Sequence, residues 1–424
     1  MKYDEMTTEE LQAAKAEAQQ RYDEFKAQGK KLDMSRGKPS PEQLDLSLGM
    51  LGVVDENTDF ANVAEVDPRN YGGLPGLEAA RKLMGGVLGV DAANTIVLGN
   101  SSLTIMYDLV AHAMTHGVLG STPWARLDKV KFLCPAPGYD RHFAICEHFG
   151  IEMIAIPMHD DGPDMDMVEK LVSSDDSIKG IWCVPQYSNP QGIVYSDEVV
   201  QRFAKLAPAA ADFRIFWDNA YAIHHLSDNH PNVANLKDAA DAAGNPDMFY
   251  MFASTSKVTF PGAGIACVAS SDANIADMKK FLGFAMIGPD KINQLRHALY
   301  FAEPGSLEAH MKKHAGLIAP RFDKVKEIFE RELGGLGIGS WTDPAGGYFI
   351  TFDALPGCAK RIVELAAEAG VKMTGAGAMY PYKNDPDDKS IRVAPTYPSI
   401  EELAEAAELF CICVKIASAE KLAG

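Results

Sequence analysis

The chain has 424 residues, 47% of them hydrophobic and 23% charged, with a formal net charge of −18. That length exceeds what one hydrophobic core usually serves, so two domains are expected, and the composition is that of a globular protein. The acidic balance argues against non-specific nucleic-acid binding, while a locally basic site for anions stays possible. The seven cysteines, at 134, 146, 183, 267, 358, 411 and 413, form no CxxC pair. Several interrupt apolar runs, so they read as buried thiols in a reducing compartment. Cys411 and Cys413 lack neighbours at metal-ligand spacing, and no metal site is expected. No apolar run reaches the length of a membrane span and no signal-like segment opens the sequence, so a cytoplasmic protein without membrane partners is expected.

In chain order, residues 7–28 carry Leu11, Ala14, Ala18, Tyr22 and Phe25 on one helical face, with Thr7 and Glu10 as a capping box and Gly29 as terminator. Such an arm packs on its own core or on another subunit. Residues 33–45 read as a loop, in which Ser35-Arg36-Gly37-Lys38 sets two cations around a glycine. That is either a solvated turn or a backbone able to approach an anion. Residues 70–77, including Tyr71, lead into a helix ending near Leu88. Residues 94–98 read as a strand, followed by Gly99-Asn100-Ser101-Ser102 and a helix over 103–114. Strand, small polar loop and helix form a phosphate-cradle layout, because free amides and the helix dipole face the anion. A plain serine-capped turn has the same local signature.

Short apolar runs follow at 130–134, 151–158, 180–184, 213–217, 248–252 and 264–269, separated by helical patterns or loops. This alternation predicts a mainly parallel, helix-covered sheet, whose ligands bind beyond the carboxyl ends of the strands. Pro137-Gly138-Tyr139, Asn189-Pro190-Gln191-Gly192, Asp218 with Tyr221, and Lys257 all fall just after such runs. In Ser254-Thr255-Ser256-Lys257 the amine could form a Schiff base with an aldehyde if its pKa is lowered, and the hydroxyls could bind a phosphate on it. A lone lysine at a strand end is otherwise solvated. After residue 305 the texture changes: helical segments at 306–333, 358–369 and 400–418 flank strand-like stretches at 347–352 and 390–394. A smaller α+β domain is expected there, with 384–389 as a solvated loop.

Tyr139, Asn189-Pro190-Gln191-Gly192, Asp218-Asn219-Ala220-Tyr221, Ser254-Thr255-Ser256-Lys257 and Arg392 occur in that order. With them the chain resembles the fold-type I, pyridoxal-phosphate-dependent aminotransferases, and within them a divergent bacterial aspartate aminotransferase. The resemblance runs from about Ser35 to the C-terminal helix. It implies an α/β fold of the PLP-dependent transferase type, with a large cofactor-binding domain over 50–305. The small domain would combine 1–49, including the helical arm, with 306–424. It also implies a ping-pong transamination in which L-aspartate and 2-oxoglutarate give oxaloacetate and L-glutamate.

The same resemblance assigns roles. Lys257 would carry the pyridoxal 5′-phosphate and move the substrate proton. Asp218, backed by His142, would pair with the pyridine nitrogen. Tyr221 and Asn189 would bond the ring hydroxyl oxygen, and Tyr139 would stack on the ring. Ser101, Ser102, Leu103, Ser254 and Ser256 would hold the phosphate, joined by Tyr71 from the second subunit of a homodimer. Arg392, with the Gly37 backbone, would bind the substrate α-carboxylate. The usual phosphate-binding arginine is missing, because Gly264 stands in its expected slot; Ser256, Lys38 or a water would have to compensate. For the distal carboxylate of the substrate the candidates are Lys291, Arg36, Lys38 and Arg141. Alternatives are transaminases for alanine, aromatic or 2-aminoadipate donors. A ligand-sensing module like the aminotransferase-like regulators is disfavoured by the acidic charge and the lack of a basic winged-helix segment.

Overall fold

A computed structural model describes residues 1–424. The first long helix, Thr8–Ala27, starts at a capping box in which Thr7 and Glu10 satisfy each other's backbone N–H groups. Its buried residues Leu11, Ala18, Tyr22 and Phe25 lie against the chain's own C-terminal helix, Ile400–Ala423. The Tyr22 hydroxyl donates to the Leu365 carbonyl at 2.8 Å. Of the two placements expected for this arm, the chain's own core is the one observed. Next comes β1 (Leu32–Asp33).

The central sheet takes β2 (Thr95–Val97), β3 (Lys131–Ala136), β4 (Glu152–His159), β5 (Gly162–Pro163), β6 (Ile178–Cys183), β7 (Arg214–Asp218), β8 (Phe249–Ser254) and β9 (Ala266–Ala269). Their spatial order is β2-β9-β8-β7-β6-β3-β4-β5. The inner pairs β4–β3–β6–β7–β8 are all parallel, while β9 runs antiparallel to both its neighbours and β5 antiparallel to β4. Side chains alternate between two faces, as strand geometry requires. Leu133, Ile181, Ile215, Trp217 and Met251 join one buried cluster, and Phe132, Trp182, Phe216, Tyr250 and Phe252 the other. Helices cover both faces, so the strands read as continuous apolar runs. From β3 the chain goes outward to β4, then returns on the other side to β6. That reversal opens a crevice beyond the carboxyl ends of β3 and β6, where ligands of such sheets bind.

Beyond the sheet lie the helices Asp272–Ala285, Lys291–Tyr300 and Ser306–Leu333. A second sheet then forms from β10 (Gly339–Trp341), β11 (Ile350–Ala354) and, after β12 (Val371–Lys372), β13 (Ser390–Val393), in the order β10-β11-β13. β12 returns to pair with β1 in parallel. Asp33, expected to open a loop, is thereby strand. The strand expected at 347–352 begins only at Ile350, because Gly347 takes a left-handed turn at φ +83° beside Tyr187. The stretch 384–389 is a loop exposed at Asn384, Pro386 and Asp387, as expected, and it is anchored by one buried carboxylate. Asp385 accepts the backbone N–H groups of Asp387, Lys389 and Ser390. All seven cysteines are free and buried, and no helix is long and apolar enough to cross a membrane.

Candidate active site

A cavity of about 430 Å³ opens over the carboxyl ends of β3, β6, β7 and β8. Lys257, Asp218, Tyr221, Asn189, Tyr139, Ser101, Ser102, Leu103, Ser254, Ser256, Gly37 and Arg392 line it, as do Arg36 and Arg141, whereas Tyr71, Lys38 and Lys291 do not. Asp218 ends β7, Ser254 ends β8, and Lys257 follows three residues later. Tyr139 caps the helix Asp140–Phe149 after β3. Ser101 precedes the helix Ser102–His116. Tyr71 is 80% exposed on the surface of this chain and does not reach the cavity.

At the acidic end the polar groups are dry and held from behind. Asp218 Oδ2 sits 3.0 Å from His142 Nε2, and the two side chains are only 5% and 1% exposed. The His142 ring stacks on Trp182, centroids 4.6 Å apart and planes 12° from parallel, while Tyr139 meets it edge-on. Asp218 Oδ1 is buried with no partner. A buried carboxylate oxygen without a donor is costly, so this atom suits a ligand N–H. Burial raises the Tyr221 hydroxyl pKa well above its ordinary value and pushes that of Tyr139 up to about 12. The Lys257 ammonium lies 5.0 Å from the Tyr221 ring centroid and 5.8 Å from that of Tyr348. Its pKa is lowered, chiefly by the loss of water around the charge, with Asp218 pulling the other way.

At the serine end there is no cation among the hydroxyls and amides. Ser101 makes no side-chain cap, which leaves the first amides of a 15-residue helix open to an anion. Ser254 donates to Ser256 Oγ at 3.1 Å, and Ser256 donates to the Asn100 carbonyl at 3.1 Å. Gly264 explains why no arginine replaces these contacts. A Cβ there would lie 2.9 Å from Thr255 Oγ1 and 3.1 Å from the Phe260 carbonyl. Asn293 holds the same turn by donating to the Ala263 and Gly264 carbonyls. Lys38 does not compensate: its ammonium lies 3.7 Å over the Tyr397 ring and it does not line the cavity. An anionic group at the serine end, a flat ring across Tyr139 and a ring N–H on Asp218 Oδ1 therefore fit the residues present.

The third side of the cavity belongs to Arg392 on β13. Its Nη1 donates to Asn189 Oδ1 at 3.3 Å and to Asp140 Oδ1 at 3.3 Å, and its Nη2 donates to Thr374 Oγ1 at 3.2 Å. The guanidinium carbon stands 4.7 Å over the Phe349 ring. Gly37 lines the same wall, where any Cβ would strike Phe349. Arg36 and Arg141 line the cavity without an ion partner of their own. Lys291 does not; it is buried against Gly73 and Gly288.

Behind Lys257 lies a network that sequence reading missed. The carbonyl of Val258 accepts from His310 at 2.8 Å, His314 at 3.0 Å and Ser47 at 3.4 Å. Gln43 links His314 to the Tyr348 hydroxyl. The i, i+4 spacing of His310 and His314 marks one helix face, but nothing local says that the face meets the residue after Lys257. Phe349 and Asp140 were missed for the same reason.

Residues 6–424 match the family model described as aspartate amino-transferase. A curated aspartate aminotransferase of Corynebacterium glutamicum is 45% identical over 404 residues, covering 95% of this chain and 93% of that protein. The crystal structure of an aspartate transaminase from the same organism superposes with a TM-score of 0.96 at 43% identity, covering 100% of this chain and 99% of the other. At 18% identity, the α-aminoadipate aminotransferase of Thermus thermophilus, solved with N-(5′-phosphopyridoxyl)-L-leucine, shares the fold with a TM-score of 0.74 and covers 91% of this chain and 92% of that one. The chain is an aminotransferase and belongs to the aspartate amino-transferase family.

Proposed function

We propose that the cavity holds pyridoxal 5′-phosphate on Lys257 and transfers the amino group of L-aspartate to 2-oxoglutarate, giving oxaloacetate and L-glutamate. The observation that carries this reading is the Asp218 carboxylate. It is buried and fixed through Oδ2 by His142, with Oδ1 unpaired in the same cavity as a lysine of lowered pKa. When bound, the cofactor supplies an aldehyde for the amino group and a ring that withdraws electrons from the substrate α-carbon.

The chain's own residues do the rest. Asp218 holds a proton on the ring nitrogen, and His142 keeps that carboxylate oriented. Tyr221 and Asn189 bond the ring oxygen, and Tyr139 covers the ring face. The amides of Ser101, Ser102 and Leu103, with the hydroxyls of Ser254 and Ser256, take the phosphate, and Tyr71 reaches it from the second copy in a homodimer. The Lys257 amine moves the proton at the substrate α-carbon; its lowered pKa leaves more of it neutral and able to accept. Arg392 binds the α-carboxylate. Arg36 and Arg141 are the cations available to a second carboxylate, since Lys38 and Lys291 lie outside the cavity. The division into a large unit over 50–305 and a small one over 1–49 with 306–424 suits the separate cores beneath the two sheets. The free thiols suit a reducing compartment, in keeping with a cytoplasmic protein.

The test is a half-reaction. The purified protein is charged with pyridoxal phosphate, and its visible absorption is followed as aspartate, alanine or an aromatic amino acid is added without any oxo acid. Aspartate alone should convert the band. Conversion by one of the others but not by aspartate would discard the dicarboxylate donor and keep the aminotransferase.

A further inference from the structure

The cavity holds two carboxylates, and only one has been given work. Asp218 serves the cofactor. Asp140, the first residue of the helix Asp140–Phe149, places Oδ1 3.3 Å from Nη1 of Arg392. Arginine has five N–H donors in a planar fork. On Arg392 both Nη1 hydrogens are taken, by Asp140 and Asn189, and one Nη2 hydrogen is taken by Thr374. The Nε hydrogen is enclosed by protein without a partner. The terminal nitrogens that face a ligand are therefore Nη1, held by Asp140 and Asn189, and Nη2, which keeps one free hydrogen. A carboxylate that binds both terminal nitrogens has to take Nη1 from Asp140. Asn189 and Thr374 orient the guanidinium without cancelling its charge, whereas Asp140 both orients it and cancels it.

We propose that Asp140 is a built-in competitor of the substrate, whose carboxylate holds the face of Arg392 that the α-carboxylate of the amino acid must take. The inference rests on Arg392 being the α-carboxylate site. The Asp140 side chain is 36% exposed against 10% for Arg392, so Asp140 can turn toward water while the arginine stays in place. Asp140 then sets how tightly every substrate binds without choosing among them, because each carries an α-carboxylate and each displaces the same group.

The sign of one substitution separates this role from simple positioning. In Asp140→Asn the amide keeps a hydrogen-bonding oxygen but loses the charge. KM for aspartate and for a monocarboxylic donor should both fall by a similar factor, approaching tenfold, equivalent to about 1.4 kcal/mol, with kcat not rising in step. Calorimetric titration of the cofactor-loaded protein with succinate, which cannot react, should show the same tightening. Asp140→Glu, which keeps the charge on a longer stem, should bind less tightly than Asp140→Asn and guards against a folding artefact. Weaker or unchanged succinate binding in Asp140→Asn would overturn the proposal in favour of an orienting role. A change confined to dicarboxylic ligands would also overturn it, by placing Asp140 opposite the distal carboxylate. Should the wild type prefer a donor other than aspartate, the dicarboxylate reading fails, while the KM shift for that donor still decides the role of Asp140.

Discussion

The two ends of the cavity are made of different materials. At the acidic end one buried carboxylate is fixed by one buried histidine, which is itself stacked on a tryptophan. At the serine end an anion meets helix amides and two exchangeable hydroxyls, with no arginine or lysine among them. A buried charge in a dry site is worth much and tolerates no loss of a partner. An array of amides and hydroxyls spreads the load, so each member is worth little. Substitutions should therefore fall steeply at one end and gently at the other.

The largest loss is expected at the lysine between them. Lys257→Ala removes both the attachment point and the positioned base, and kcat should fall by at least about 10²- to 10⁴-fold, the range for general-base catalysis alone. Turnover near the wild-type rate in that variant would end the assignment. At the acidic end, Asp218→Ala should lower kcat by about 10²- to 10³-fold, as for other preorganised electrostatic contacts. A steady-state assay at saturating aspartate measures it.

At the serine end, Ser254→Ala should weaken cofactor binding only about fivefold, corresponding to roughly 1 kcal/mol for one neutral hydrogen bond. Equilibrium titration with pyridoxal phosphate reads it directly. If Ser254→Ala costs as much as Asp218→Ala, the contrast between the two ends fails. Replacing the absent arginine should not help: Gly264→Arg drives a side chain into Thr255 and the Phe260 carbonyl. A lowered melting temperature with no gain in cofactor affinity is the expected result.

How much of this was legible in the sequence depended on distance along the chain. Residues that sit at strand ends were found because turn chemistry and strand patterning are local. Lys257, Asp218, Tyr221, Asn189, Tyr139 and the serine loop all belong to that class, as do the parallel strands that aim them at one crevice. What supports them was not legible. Ser47 and Val258 lie 211 residues apart, Gln43 and His314 lie 271 apart, and Asp140 and Arg392 lie 252 apart. No periodicity announces such contacts. Gly264 shows the opposite case: the departure from the family pattern was visible in the sequence. Its cause, a turn packed against Thr255 and pinned by Asn293, needed the structure.

The broadest effect concerns acid stability. Burial pushes the pKa of His297 and of His314 down to about 4. In the unfolded chain both return to about 6.5. Between those values the unfolded chain binds protons that the folded chain refuses, so stability falls as pH drops from about 6.5 to about 4. Each group contributes on the order of 3 kcal/mol at the acid limit. Urea unfolding at pH 7 and pH 5 should show a lower midpoint at pH 5, and replacing His297 with glutamine should flatten the difference. Both groups lie behind the segment that carries Lys257, His297 on Thr255 and His314 on the Val258 carbonyl, and the loss is one of the whole fold rather than of either end of the cavity.

The central claim is that Lys257 carries the cofactor between the two ends. Borohydride reduction of the protein loaded with pyridoxal phosphate, followed by proteolysis and mass spectrometry, tests it most directly. A single pyridoxyl group on the peptide containing Lys257 is the predicted result. A label on another lysine, or none at all on a protein that still transaminates, would contradict it.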